Sequence, residues 1–127
     1  MNDYEKARAV ALSELGYVGF AADVYGADLQ EADALSFEER GALTSMYRAN
    51  ETLFVQRIER AIEVASSLPG ADPDNVAVIG YCFGGTGVIY LAFADSDKAK
   101  VVVSFHGGLR QLPDVGDVPA ATPYVLV

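Results

Sequence analysis

Residues 76–87 read VAVIGYCFGGTG, an apolar run that breaks into glycines around the one cysteine of the chain. Val76 to Ile79 suit a short buried strand, and the residues from about Gly84 to Ala94 suit a helix. The thiol of Cys82 therefore falls where a strand hands over to a helix. Three chemistries fit a glycine-flanked position of that kind. A dinucleotide cradle wants G-x-G-x-x-G, but positions 80, 82 and 85 are Gly, Cys and Gly, and the following strand VVVSFHG ends without the expected acid. A phosphate loop needs a lysine after Gly85, where Thr86 stands. A lone cysteine is most often a small buried hydrophobe. The third chemistry is a nucleophile elbow, G-x-nucleophile-x-G, with Gly80, Cys82 and Gly84 filling the pattern and Gly85 extending it. In such a turn the nucleophile rises above the carboxyl ends of the strands, and side chains at the flanking positions are expected to collide. The helix N-terminus favours a thiolate, and the N–H of Phe83 is placed to receive a developing oxyanion. Strand before, helix after and glycine spacing all agree with this third reading.

Working outward, residues 2–15 predict a helix with Asn2 as cap, Glu5 three residues on, and Gly16 as its stop. The run GYVGFAADVYG, residues 16–26, predicts a buried strand over residues 17–23. Residues 27–35 are small and acidic, as in a surface loop. Ser36 and Glu39 have capping-box spacing for another helix. Residues 50–68 predict a longer helix with Phe54, Ile58, Ala61, Ile62, Ala65 and Leu68 on one stripe, ended by Pro69-Gly70 and the turn residues Asp72 to Asn75. A strand over residues 101–105 and a last apolar run, PYVLV, complete the pattern. Strands alternating with helices indicate an α/β protein: a mostly parallel sheet of about four strands with flanking helices.

The chain has 127 residues, enough for one domain with a real core. No apolar stretch approaches the roughly 18 residues that span a membrane, and the N-terminus lacks an apolar signal-peptide core. A single cysteine cannot form an internal disulfide, which favours a reducing, cytoplasmic setting. The formal charge of −9 argues against a nucleic-acid partner. One His and one Cys cannot build an ordinary zinc site, so no metal or other cofactor is expected.

GYCFGG, together with GYVGFAADVYG upstream and VVVSFHGGL downstream, resembles the dienelactone hydrolase family of α/β-hydrolases. The resemblance implies a cofactor-free hydrolase acting on a small-molecule ester or lactone, with Cys82 as nucleophile and the Phe83 backbone as one oxyanion donor. In that family the triad acid and histidine follow later strands, and ATPYVLV matches the strand just before the acid. A strand and loop supplying the second oxyanion donor would precede Asn2. The chain is thus expected to be an α/β-hydrolase-like domain truncated at both ends. His106, in SFHGG, matches a family segment other than the triad histidine; it and Tyr81 are read as pocket-lining. Asp114 and Asp117 read as solvated turn residues. The family's best-known members also place a substrate-binding arginine after the segment matching DVYG, where this chain has Ala27 and Asp28. Arg48 lies in a different segment and does not inherit that role. The resemblance also places a further strand between residues 17–23 and 76–79. Without it, these strands must close up, leave a gap, or accept a strand from another molecule, and homo-oligomers through unpaired edges are expected. The rival expectation is a non-catalytic fragment acting through such edges, with a nucleotide-binding module a distant third.

Overall fold

The structure is a computed structural model that describes residues 3–26, 35–109 and 125–126. Its elements run α1 (Asp3–Glu14), α2 (Phe37–Ala49), α3 (Glu51–Ser66), β1 (Ala77–Tyr81), α4 (Phe83–Phe93), β2 (Val101–Phe105) and β3 (Val125–Leu126). The three strands form one parallel sheet in the order β1-β2-β3, with Ala77 opposite Val101 and Tyr81 opposite Phe105. The expected α/β class and parallel sheet are present.

Local chemistry sets the helix ends. α1 closes with a Schellman motif: Tyr17 N–H reaches Leu12 O, Gly16 N–H reaches Ser13 O, and Gly16 takes a φ of +92° that a side chain would resist. Ser36 and Glu39 form the capping box that starts α2, with bonds of 3.2 and 2.8 Å. Asn50 ends α2 and also caps α3, its side chain accepting from Leu53 N–H. Asp72 collects Asp74 N–H and the Asn75 amide in the turn that leads to β1. The cap expected at Asn2 lies outside the described residues, as does all but the last residue of the loop expected at 27–35.

The core sits on one face of the sheet. α4 is apolar around its whole circumference and is buried from Gly85 to Ala92, as befits a central helix. It packs on Val102 below and on Phe54, Ile58 and Ile62 of α3 above. The two helices approach closely at Gly87, where an added Cβ would lie 2.6 Å from the Phe54 ring.

The expected strand at residues 17–23 does not form. This stretch is irregular, and Tyr17, Val18 and Phe20 are exposed. A strand needs a neighbour's row of N–H and C=O groups. Among the described residues β1 pairs only with β2, so nothing offers residues 17–23 such a row. The chain instead lies against α1, where a Cβ on Gly19 would come within 2.0 Å of Ala9 O. The described sheet therefore has three strands rather than about four.

Candidate functional site

β1 ends at Tyr81, and α4 begins at Phe83, leaving Cys82 alone to reverse the chain. Its backbone takes φ +52° and ψ −109°, outside even the left-handed helical region. That conformation is held from both sides. Cys82 N–H donates to Phe105 O at 3.0 Å, and Cys82 O accepts from Thr86 N–H at 3.1 Å. The thiol is exposed at the carboxyl end of the sheet. The N–H of Phe83, in the first turn of α4, takes no acceptor among the described residues.

The glycines divide into two kinds. A Cβ on Gly80 would stand 2.2 Å from Gly84 O, so the sharp turn does require glycine there. A Cβ on Gly84 would meet nothing within 4 Å, because that position faces open space. The expected collision at Gly84 is therefore absent. Gly85 is tight for another reason: its added Cβ would lie 2.8 Å from Gly107 Cα, so it lets α4 sit directly on the loop after β2.

Around the thiol stand two aromatic groups. Phe83 turns its ring inward, stacked on Phe54 at 4.5 Å and on Tyr25 at 5.4 Å, with Tyr47 at 6.2 Å. On the other side Tyr81 stacks on Phe105 at 4.8 Å and meets Tyr4 edge-on at 6.1 Å. His106 follows Phe105 with φ +43° and an exposed side chain, its ring 6.4 Å from that of Tyr81. The imidazole makes no hydrogen bond among the described residues. Tyr81 and His106 thus flank Cys82 at one end of the sheet, while Asp114 and Asp117 lie outside the described residues.

Sequence reasoning gave no role to two neighbours of this site. Arg48 lies with Cζ 5.6 Å from the Phe83 ring centroid, brought there by the end of α2. Tyr25 is fixed by Asp23, whose carboxylate accepts from Tyr25 N–H and Gly26 N–H. Burial pushes the Tyr25 phenol above its ordinary value and Arg48 pulls it partly back. Tyr47, Asp23 and Cys82 add smaller contributions to the rise. The signal for Tyr25 was its place in DVYG; Arg48 had none, since only tertiary packing brings α2 here. No group of three or more His, Cys, Asp or Glu among the described residues could hold a metal ion.

A parallel sheet with its helices and a sharp strand-to-helix turn carrying an exposed thiol make up an α/β fold. The profile of the dienelactone hydrolase family matches residues 3–125, and the chain belongs to that family. A putative carboxymethylenebutenolidase from Synechocystis sp. is 32% identical over 100 residues, which cover 72% of this chain and 37% of that protein. The crystal structure of a dienelactone hydrolase-like promiscuous phosphotriesterase from metagenomic libraries superposes with a TM-score of 0.77 at 31% identity. That match covers 91% of this chain and 46% of the other. The chain thus spans less than half the length of either relative. Among the described residues no helix is long and apolar enough to cross a membrane.

Proposed function

We propose that the protein acts as a cysteine hydrolase on esters or lactones, with Cys82 at a nucleophile elbow. The observation that carries this reading is the backbone of Cys82, held at φ +52° and ψ −109° with its thiol exposed. A side-chain-bearing residue kept so far from ordinary backbone geometry points to a use for that geometry. The Cys82 sulfur attacks the carbonyl carbon, and a C–S bond forms while the π pair moves to oxygen. The Phe83 N–H receives that oxyanion. Collapse expels the alkoxide, which takes up a proton, and leaves a thioester; water then cleaves the C–S bond and restores the thiol. The reading requires a base to accept the thiol proton and an acid to hold that base. His106 and Tyr81 line the crevice. A reducing, cytoplasmic setting suits a chemistry that needs a free thiol.

The test is intact mass of the purified protein during exposure to a chromogenic acetate ester. The expected result is one acetyl group gained and then lost, absent in Cys82→Ser. No adduct on the folded protein sinks the reading.

A second reading, association through strand edges, is favoured by one observation. β1 has no partner on its outer side among the described residues, and Ile79, Val101 and Phe105 remain 37–44% exposed. Parallel sheets are ordinarily covered on both faces. A monomer by light scattering at high micromolar concentration would exclude homo-oligomers.

A further inference from the structure

The buried stretch of α4 carries two hydroxyls, those of Tyr90 and Thr86, and Thr86 has 1% of its surface exposed. Its neighbours in the helix are Val88, Ile89 and Leu91, and a valine would fill the same space. A hydroxyl buried there costs free energy unless it is bonded. Thr86 finds its bonds in two places. Its Oγ1 accepts from Gly108 N–H at 2.9 Å, and its own proton has Gly108 O at 3.4 Å and Cys82 O at 3.5 Å to choose between. Its backbone N–H also donates to Cys82 O. Beside it, Ser104, equally buried, donates to Gly85 O at 3.1 Å. The loop that begins at His106 is therefore stapled to the first turn of α4, over the bare contact of Gly85 with Gly107.

The carbonyl of Cys82 and the N–H of Phe83 belong to one peptide unit. That unit is planar, so fixing the direction of its C=O fixes the opposite direction of its N–H. We propose that Thr86 is a positioning residue for the oxyanion donor: through the Cys82 carbonyl and the Gly108 loop it sets where the Phe83 N–H points. The proposal rests on the cysteine-hydrolase reading and adds a residue that touches no substrate. Thr86 does nothing for the nucleophilicity of the thiol itself. Its loss should injure a reaction that builds an oxyanion and spare one that does not.

Two reagents separate these. An acetate ester acylates Cys82 through a tetrahedral oxyanion, whereas iodoacetamide alkylates it by direct displacement. In Thr86→Val, acylation should fall tenfold or more while alkylation stays within twofold, and Thr86→Ser should bring acylation back to within threefold. Should T86V not fold, Thr86→Ala removes the hydroxyl without adding bulk and carries the same expectation. Unchanged acylation in the folded hydroxyl-free variant overturns the proposal. So does an equal loss of acylation and alkylation, which would mark general loosening. If the unsubstituted protein takes no acetyl group, it is the hydrolase reading that fails. The amide resonance of Phe83 then decides the positioning: it must shift in the hydroxyl-free variant and return in T86S, and a resonance that stays put overturns it.

Discussion

On the α4 face of the sheet, Phe54, Tyr90, Leu91 and Val102 are each at most 1% exposed. In the N-terminal residues the same kinds of side chain stand in water: Val10 is 57% exposed, Tyr17 68% and Leu15 74%. No residue of α1 is buried. Both regions have well-made local structure, since the Schellman motif after α1 is as regular as the caps of α2 and α3. Caps and propensity thus decide where a helix begins and ends, but not whether it is stabilised by packing. The described fold is held by α4, and α1 is held mainly by its own hydrogen bonds.

The contrast can be broken most forcefully at Phe54, which is wholly buried and stacked on the Phe83 ring. Phe54→Ala should cost about 3–5 kcal/mol by denaturant unfolding, and it should slow acylation of Cys82 by releasing Phe83. Next comes Gly80→Ala, whose methyl would press on backbone atoms of Gly84 and Gly85 that cannot rotate away. It should cost about 3 kcal/mol, near the top of the range for overpacking. Ser36→Ala removes half of a capping box, and a loss of about 1 kcal/mol is expected in the same experiment. Leu15→Ser on the uncovered side should change stability by no more than about 0.5 kcal/mol. If Leu15→Ser proves as damaging as Phe54→Ala, something covers α1 in solution and the comparison fails.

Acid should have the smallest effect, and its sign is fixed. Ser36 N–H holds the Glu39 carboxyl below its ordinary range, Lys98 and then Arg60 do so for Glu63, and Asn75 and Asp74 N–H do so for Asp72. A depressed carboxyl stabilises the fold above its ordinary value and loses that contribution as pH falls through the folded-state value. Lys98, raised by Glu63, behaves conversely and stops contributing only as pH rises past the lysine range. All four groups face solvent, so Tm should decline gently below about pH 4. Glu63→Gln should flatten part of that decline, and an unaltered profile would remove Glu63 from the account.

The sequence carried the start of α2, and α3, β1 and β2 close to their observed ends, because each is marked by its own residues: Ser36 with Glu39, the Phe54–Ile58–Ile62 stripe, and the valine runs. Residues 17–23 misled for a physical reason. Their composition fits a buried strand, but a strand is completed by hydrogen bonds from a neighbour, and composition holds no record of one. The site divides in the same way. Cys82 and Gly80 were legible from local spacing. Thr86 was not, since its partner Gly108 lies on another element, and neither was Arg48, which reaches Phe83 only because α2 packs beside α4. Gly84 taught the opposite lesson, a motif glycine for which space alone makes no demand.

β1, α4 and β2 lie within residues 77–105, and all β1–β2 pairs fall inside that span. These parallel pairs are joined through α4 alone, whereas contacts between α3 and α4 also span the turn at residues 67–76. The unusual backbone of Cys82 lies inside this unit, and the bond from its N–H to Phe105 O continues the ladder between the two strands. The amides of Val102 and Val103 should accordingly be among the last to exchange with deuterium, and those of α1 among the first.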